Sequence, residues 1–163
     1  MSAFLDTSVI LASLDPDEIH HAACDRVVSA GGNGIYLPAL AETFSILTGG
    51  RHGRRLGAAV AARLIEQSIL PYVQTQTLTG KDMMAALAEC ESRGVRGGAI
   101  YDWLHLAAAR KAGAELLITL DLRDWLFGPK YWMDGVNFHM PLGSHPSPRR
   151  AVLRGTYEIN ERT

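Results

Sequence analysis

The chain has 163 residues, of which 47% are hydrophobic and 20% charged, so one folded domain is expected and a disordered or collagen-like chain is excluded. The 16 basic and 17 acidic side chains give a formal net charge of −1, so any binding of nucleic acid would depend on local basic patches. Cys24 and Cys90 are the two cysteines, and their wide separation excludes a disulfide scaffold and a Cys-rich zinc site. No membrane span and no secretory signal peptide are predicted, so we expect a cytoplasmic protein.

The first half of the chain is predicted to alternate short apolar strands with helices. A buried strand over residues 3–5 ends at Asp6, and a short helix, capped by Thr7 or Ser8, extends to residue 14. A second helix is predicted over 16–29 and a second strand over 35–37. Pro38 suits the first turn of a third helix, which ends at a pair of glycines. An alanine-rich helix is predicted over 51–66, followed by a strand over 70–73.

The second half repeats this alternation and then changes in composition. Thr79, with Asp82 three residues later, is a variant of the capping box and predicts a helix that ends at Gly94. A strongly periodic helix over 100–112 precedes a strand over 116–118, and a last strand is predicted over 136–140. Short apolar strands that alternate with helices are typical of an α/β fold with a parallel sheet. Prolines accumulate from residue 141, so we expect a domain over 1–140 and an extended or mobile tail over 141–163.

Acidic residues follow the predicted strands. Each lies just after a strand or near the start of the next helix, namely Asp6, Glu42, Asp102 and Asp121, with Asp124 three residues further on. The carboxyl ends of parallel strands lie on one side of a sheet, so these carboxylates could converge, although each could also be a turn residue or a solvated helix charge. Two carboxylates about 5 Å apart repel each other by roughly 3 kcal/mol, so a cluster needs a cation or a shared proton. An all-oxygen ligand set suits Mg²⁺ or Mn²⁺, and such a site can activate water for phosphodiester hydrolysis.

Several segments resemble the PIN-domain nucleases, and among them the VapC-type toxins of bacterial toxin–antitoxin pairs. The resemblance rests on LDTSVI at 5–10, the helix that contains Glu42, YDWLHLAAARKAGAELLITLD at 101–121 and RDW at 123–125, and it covers about residues 3–140. It implies a PIN-like three-layer α/β/α fold with a central parallel sheet of four to five short strands. It further implies an endoribonuclease that depends on Mg²⁺ or Mn²⁺, a homodimer, and inhibition by a small cognate antitoxin.

The resemblance also assigns roles to single positions. The acidic quartet of the family corresponds to Asp6, Glu42, Asp102 and Asp121, and its accessory polar positions correspond to Thr7 and Thr119. By this correspondence the first and third acids hold the metal, the other two complete the site, and Asp124 is the alternative fourth acid. His105 occupies a position where the family more often has a small or apolar residue.

Two further groups of residues are candidates for substrate binding. A basic cluster could clamp phosphates or form a solvated helix start, and it consists of Arg51, His52, Arg54 and Arg55. An aromatic group could stack on unpaired bases or cover the core, and it consists of Trp125, Phe127, Tyr131 and Trp132.

Three other functions remain open from the sequence. A PIN-like subunit could bind RNA or serve in assembly without nuclease activity. A dehalogenase-type phosphohydrolase would have a second Asp two residues after the first, where this chain has Ser8. A receiver-like domain would have a Lys after a late strand, whereas Lys111 lies within a predicted helix.

Overall fold

A five-stranded parallel sheet forms the centre of the computed structural model, which describes residues 3–50, 55–120 and the backbone of 137–139. The strands are β1 (Ala3–Leu5), β2 (Asn33–Tyr36), β3 (Val73–Gln76), β4 (Leu116–Ile118) and β5 (Asn137–His139). They lie in the order β3-β2-β1-β4-β5, and all neighbours are parallel. Leu5 at the end of β1 pairs with Ile35 on one side and with Ile118 on the other. The strands therefore end along one edge, which we call the carboxyl edge.

Helices cover both faces of this sheet. They are α1 (Thr7–Leu14), α2 (His21–Ser29), α3 (Pro38–Gly49), α4 (Ala58–Ser68), α5 (Gly80–Arg93) and α6 (Ala99–Lys111). Phe4 and Leu117 pack into a core with α5 and α6, whereas Leu5 and Ile35 pack into a second core with α1, α2 and α3. Because neighbouring residues of a strand point to opposite faces, a three-residue strand such as β1 contributes to both cores. The three-layer α/β/α architecture with a parallel sheet is thus confirmed.

Local signals placed several helix ends correctly. Thr79 is the N-cap of α5, and its hydroxyl and backbone exchange hydrogen bonds with Asp82 in a full capping box. The helix ends at Gly94, whose φ of 70° is a left-handed conformation that glycine adopts without a steric penalty. Pro38 lies in the first turn of α3, as predicted.

Three predicted boundaries were wrong. Residues 16–20 form turns, so α2 begins at His21. Residues 55–57 are not helical, and α4 begins at Ala58. The apolar run at 70–73 is mostly a single 3₁₀ turn, and β3 is the more polar segment Val73–Gln76. Because β3 is an edge strand, it does not need the continuous apolar sequence of a central one.

Other expectations fall outside the described residues. These are the tail over 141–163 and its boundary with the domain at 140, and the segments 51–54 and 121–136. Within the described ranges, none of the helices combines the length and the apolar character that crossing a lipid bilayer requires.

Candidate functional site at the carboxyl edge

Asp6 follows β1 directly and occupies the N-cap position of α1. Its backbone N–H donates to the Ile118 carbonyl at 3.0 Å, which extends the pairing of β1 with β4 by one residue. An Asp at an N-cap usually accepts a hydrogen bond from the first turn of its helix, and this bond is worth about 1 kcal/mol. The Asp6 side chain makes no such bond. Its carboxylate therefore does not cap the backbone of the helix that it precedes.

The Asp6 carboxylate is held instead by two hydroxyl groups. Thr119, which follows β4, donates to Oδ2 at 2.8 Å, and Ser8 donates to the same oxygen at 2.6 Å. The Ser8 hydroxyl in turn accepts a hydrogen bond from the Leu120 backbone N–H at 3.0 Å. All hydrogen bonds that the carboxylate accepts from the described residues fall on Oδ2. Among those residues no donor occupies Oδ1, which leaves it available as a ligand.

Glu42 is joined to the same strand end through Thr7. The Thr7 hydroxyl donates to Glu42 Oε2 at 2.7 Å. Thr7 is buried, whereas Glu42 is exposed on α3. Consecutive hydroxyl residues thus bind different carboxylates, since Thr7 binds Glu42 and Ser8 binds Asp6. The structure joins Thr7 to Glu42 and Thr119 to Asp6, and it adds Ser8, which the sequence indicated only as a helix cap.

The helix that bears Asp102 is fixed to the end of β1 by His105. The His105 Nε2 atom lies 2.9 Å from the Leu5 carbonyl, and because a carbonyl only accepts, Nε2 is the donor. The buried ring contacts Phe4 and Tyr36 edge-on, at centroid distances of 5.5 and 6.0 Å. Asp102 precedes His105 by three residues, so it lies on the same side of α6, nearly one turn earlier. Asp102 is half-buried in the first turn of α6.

The donor chemistry fits a hard divalent cation, since the candidate ligands are carboxylate and hydroxyl oxygens. In the part of the chain that the structure describes, however, no three His, Cys, Asp or Glu side chains are grouped closely enough to hold an ion. Asp121 and Asp124, either of which is expected to complete the quartet, lie outside that part. Leu120, the last described residue before them, donates to Ser8 and so lies beside Asp6.

Only one residue of the predicted phosphate clamp can be located. Arg51 and Arg54 lie outside the described residues. Arg55 is exposed, and its Nε donates to the Thr48 carbonyl at 3.1 Å near the end of α3. The same helix bears Glu42. Arg55 therefore stabilises the end of the helix that presents one of the candidate acids.

With this geometry established, comparison with known proteins identifies the class. Residues 3–125 match the PIN domain family. Because the match covers most of the chain, and because the fold is a three-layer α/β/α sandwich with a parallel sheet, the chain belongs to the PIN-domain family.

Its similar relatives confirm the resemblance to VapC proteins. Ribonuclease VapC27 and Ribonuclease VapC40, both from Mycobacterium tuberculosis, are each 34% identical to the chain over 119 residues. The match to VapC27 covers 73% of this chain and 84% of that protein, and the match to VapC40 covers 72% and 85%.

Solved structures of the same fold come from several bacteria. M. tuberculosis VapC20, described as a toxin that cleaves the sarcin–ricin loop, has a TM-score of 0.59 at 21% identity and covers 78% of this chain and 95% of its own. A DNA-bound VapBC from Salmonella typhimurium has a TM-score of 0.61 at 15% identity, with coverage of 86% and 98%. DNA-bound VapBC2 from Rickettsia felis has a TM-score of 0.58 at 14% identity, with coverage of 86% and 99%. These three structures support the fold.

Proposed function

We propose that the chain is a metal-dependent endoribonuclease and the toxin of a toxin–antitoxin pair. The proposal rests chiefly on Asp6, whose carboxylate makes no capping bond to the helix backbone and is held at the end of β1 by the hydroxyl groups of Ser8 and Thr119. A carboxylate that is fixed in this way, with one oxygen left for a ligand, is suited to binding an ion. The similarity to proteins named ribonuclease VapC supports RNA as the substrate.

The proposed site contains four acids. Asp6 and Asp102 would hold Mg²⁺ or Mn²⁺, and Glu42 and Asp121 would complete the acidic cup and orient water, with Asp124 as the alternative to Asp121. When bound, the cation would offset the charge of the phosphodiester and activate water for in-line attack. Ser8, Thr7 and Thr119 would fix the carboxylates by donating hydrogen bonds, and His105 would fix the helix that bears Asp102. No side chain would act as the nucleophile, so cleavage would not require the 2′-hydroxyl.

The decisive comparison is between Asp6→Asn and Asp25→Asn. Asp25 is exposed on α2, so its variant controls for the loss of one negative charge. We expect wild type and Asp25→Asn to cleave single-stranded RNA when Mg²⁺ or Mn²⁺ is added and to stop when a chelator is added. Asp6→Asn should remain folded, lose cleavage and bind Mn²⁺ more weakly in a calorimetric titration. Unchanged cleavage by Asp6→Asn, purified free of other nucleases, would refute the proposed site.

The same titration separates the alternative functions. An RNA-binding or assembly subunit would bind RNA but show no cleavage at any concentration of either ion. A dehalogenase-type enzyme would hydrolyse a phosphomonoester such as p-nitrophenyl phosphate. Ser8 argues against that chemistry, because its hydroxyl is engaged by Asp6 and Leu120 where the dehalogenase mechanism needs a second carboxylate.

Toxin function adds a partner to the proposal. Two of the structures of similar fold are VapBC assemblies on DNA, so we propose a small DNA-binding antitoxin as the inhibitor and a homodimer as the assembly. A short reading frame upstream whose product copurifies with the chain and suppresses cleavage would support this. Static light scattering of the purified chain measures its oligomeric state, and a monomer at micromolar concentration would contradict the homodimer.

The basic cluster is proposed to bind substrate phosphates. Reversing the charge at Arg51 and Arg54 together should weaken RNA binding and reduce the slope of log affinity against log salt concentration. Arg55 is left intact in this test, since its bond to Thr48 has a structural role. An unchanged salt slope would show that the cluster does not contact RNA.

A further inference from the structure

Tyr101 is the most exposed large hydrophobic side chain among the described residues, at 72%. Single exposed hydrophobic residues are common on protein surfaces and need no special explanation. Tyr101 differs because it directly precedes Asp102 in the first turn of α6. Its position relative to the carboxyl edge therefore decides whether the exposure has a functional meaning.

The topology of α6 places Tyr101 at the carboxyl edge. The helix ends at Lys111, and β4 begins five residues later at Leu116, which pairs with Ala3 at the start of β1. The end of α6 therefore lies near the amino ends of the strands, and its beginning lies toward their carboxyl ends.

The hydrogen bond of His105 defines the position of α6 relative to β1 more closely. It binds the carbonyl of Leu5, the last residue of β1. Tyr101 precedes His105 by four residues, so it lies about 6 Å nearer the start of the helix along its axis. The first turn of α6, which bears the exposed Tyr101 and the half-buried Asp102, therefore lies toward the carboxyl edge at which Asp6 follows β1.

The charge at this edge favours an uncharged contact with RNA. The side chains of Asp6, Glu42 and Asp102 are acidic, so they repel the phosphate backbone of RNA unless a divalent cation offsets their charge. A base has no net charge, and every base presents a π face that stacks on an aromatic ring with little dependence on sequence. Arg96, exposed just before α6, adds a positive charge near the start of the same helix.

We propose that Tyr101 is a nucleobase-stacking residue, which holds an unpaired base of single-stranded RNA beside the scissile phosphate. This inference rests on the proposed nuclease function and adds to it a subsite that selects unpaired RNA over duplex. The ring binds the base equally in the ground state and the transition state, so its contribution appears in KM and leaves kcat largely unchanged.

The test compares Tyr101→Ala, Tyr101→Phe and Tyr72→Ala. Tyr72 is a matched control, because it is an exposed tyrosine, at 41%, and lies just before β3 at the opposite edge of the sheet. Tyr101→Ala should raise KM for a short single-stranded RNA about 5- to 150-fold, the range expected for one lost stacking contact. Tyr101→Phe and Tyr72→Ala should both resemble wild type. Alanine at an exposed helix position is compatible with folding, and circular dichroism verifies it.

A substrate analogue isolates the stacking contact. Once the cleavage site of the wild type is mapped, the same RNA is made with an abasic nucleotide on either side of that site. One of the two abasic RNAs should bind wild type and Tyr101→Ala equally weakly. If Tyr101→Ala retains the wild-type KM, or if it weakens binding of both abasic RNAs as much as of intact RNA, the inference is wrong.

A further measurement distinguishes failure of the stacking proposal from failure of the proposed nuclease function. RNA binding is measured separately by fluorescence anisotropy in the Asp6→Asn background, in which cleavage is not required. Binding that depends on Tyr101 would support the stacking residue even if wild type cleaved no RNA, whereas cleavage by wild type that is indifferent to Tyr101→Ala would overturn only the stacking residue.

Discussion

Replacing Ser8 with alanine tests the hydrogen-bond chain that orients Asp6. The wild-type hydroxyl accepts from the Leu120 N–H at 3.0 Å and donates to Asp6 Oδ2 at 2.6 Å. Ser8→Ala removes both bonds at once. The Leu120 residue is buried, at 6% exposure, so water cannot readily replace the lost acceptor. Asp6 keeps the hydrogen bond from Thr119 and remains at the carboxyl edge.

The loss of stability in Ser8→Ala can be worked out from the two hydrogen bonds that it removes. A hydrogen bond to a charged group contributes about 1.5–3 kcal/mol, and a buried donor without a partner costs about 1–3 kcal/mol. Asp6 is half-buried, so the first contribution is at the low end of its range. Alanine has a higher helix propensity than serine, which offsets up to about 0.5 kcal/mol. We expect the free energy of unfolding to fall by about 2–4.5 kcal/mol and the melting temperature by roughly 4–18 °C.

Urea denaturation of Ser8→Ala and Ser29→Ala measures the effect. Ser29 is an exposed helix residue whose hydroxyl donates to the Asp25 carbonyl, so its variant should stay within about 0.5 kcal/mol of wild type. A double-mutant cycle with Asp6→Asn should give a coupling energy of about 1 kcal/mol or more between positions 6 and 8. If Ser8→Ala is no more destabilising than Ser29→Ala, or if the cycle shows no coupling, the hydrogen-bond chain does not hold Asp6 as described.

Three further predictions concern residues outside this chain of bonds. Burial and the nearby charge of Glu18 raise the pKa of the Cys24 thiol to about 12, so Cys24 should resist a thiol reagent at pH 8 in the folded protein and react after unfolding; rapid reaction in the folded state would contradict its burial. Hydrogen bonds from Lys111 and then Thr79 lower the pKa of Asp82 below its ordinary value of 3.8. The stability that Asp82 contributes is therefore present above pH 4 and is lost as the pH falls below it. Asp82→Asn should lower the urea midpoint more at pH 7 than at pH 3. An equal change at both pH values would count against the hydrogen bonds of Asp82 with Lys111 and Thr79. His105→Leu leaves the Leu5 carbonyl without its donor and should lower the free energy of unfolding by about 1–3 kcal/mol. His105→Gln retains a donor, so it should recover part of both the stability and the cleavage. Equal losses in the two variants would exclude the donor role.

Much of the framework could be predicted from the sequence because its signals are local. Short apolar runs bounded by polar turns identified β1 and β4, and their length and flanking residues are sufficient to recognise buried parallel strands. Thr79 and Asp82 lie three residues apart, so the capping box depends on no other part of the fold. The acids after the strands were visible for the same reason, and the parallel arrangement of the sheet implied that they face one edge.

The roles of single hydroxyl groups could not be predicted in this way. Ser8 at the start of a helix has the position of a common N-cap, and the sequence offers no sign that its partner is the Leu120 N–H, which is 112 positions away. The pairing of β1 with β4 brings these two residues together. The bounds of β3 were mispredicted for a related reason. An edge strand has one open side and can be polar, whereas the prediction looked for an apolar run and therefore chose residues 70–73.

The sequence by itself determined the order of strands and helices and the positions of the acids along the chain, since these depend on spacings of a few residues. The tertiary structure decided which atoms of those acids are engaged and which face outward, because hydrogen bonds between distant segments depend on strand order and register. His105 and Tyr101 illustrate this division, because four positions of one helix separate a buried side chain that binds β1 from one that is exposed to solvent.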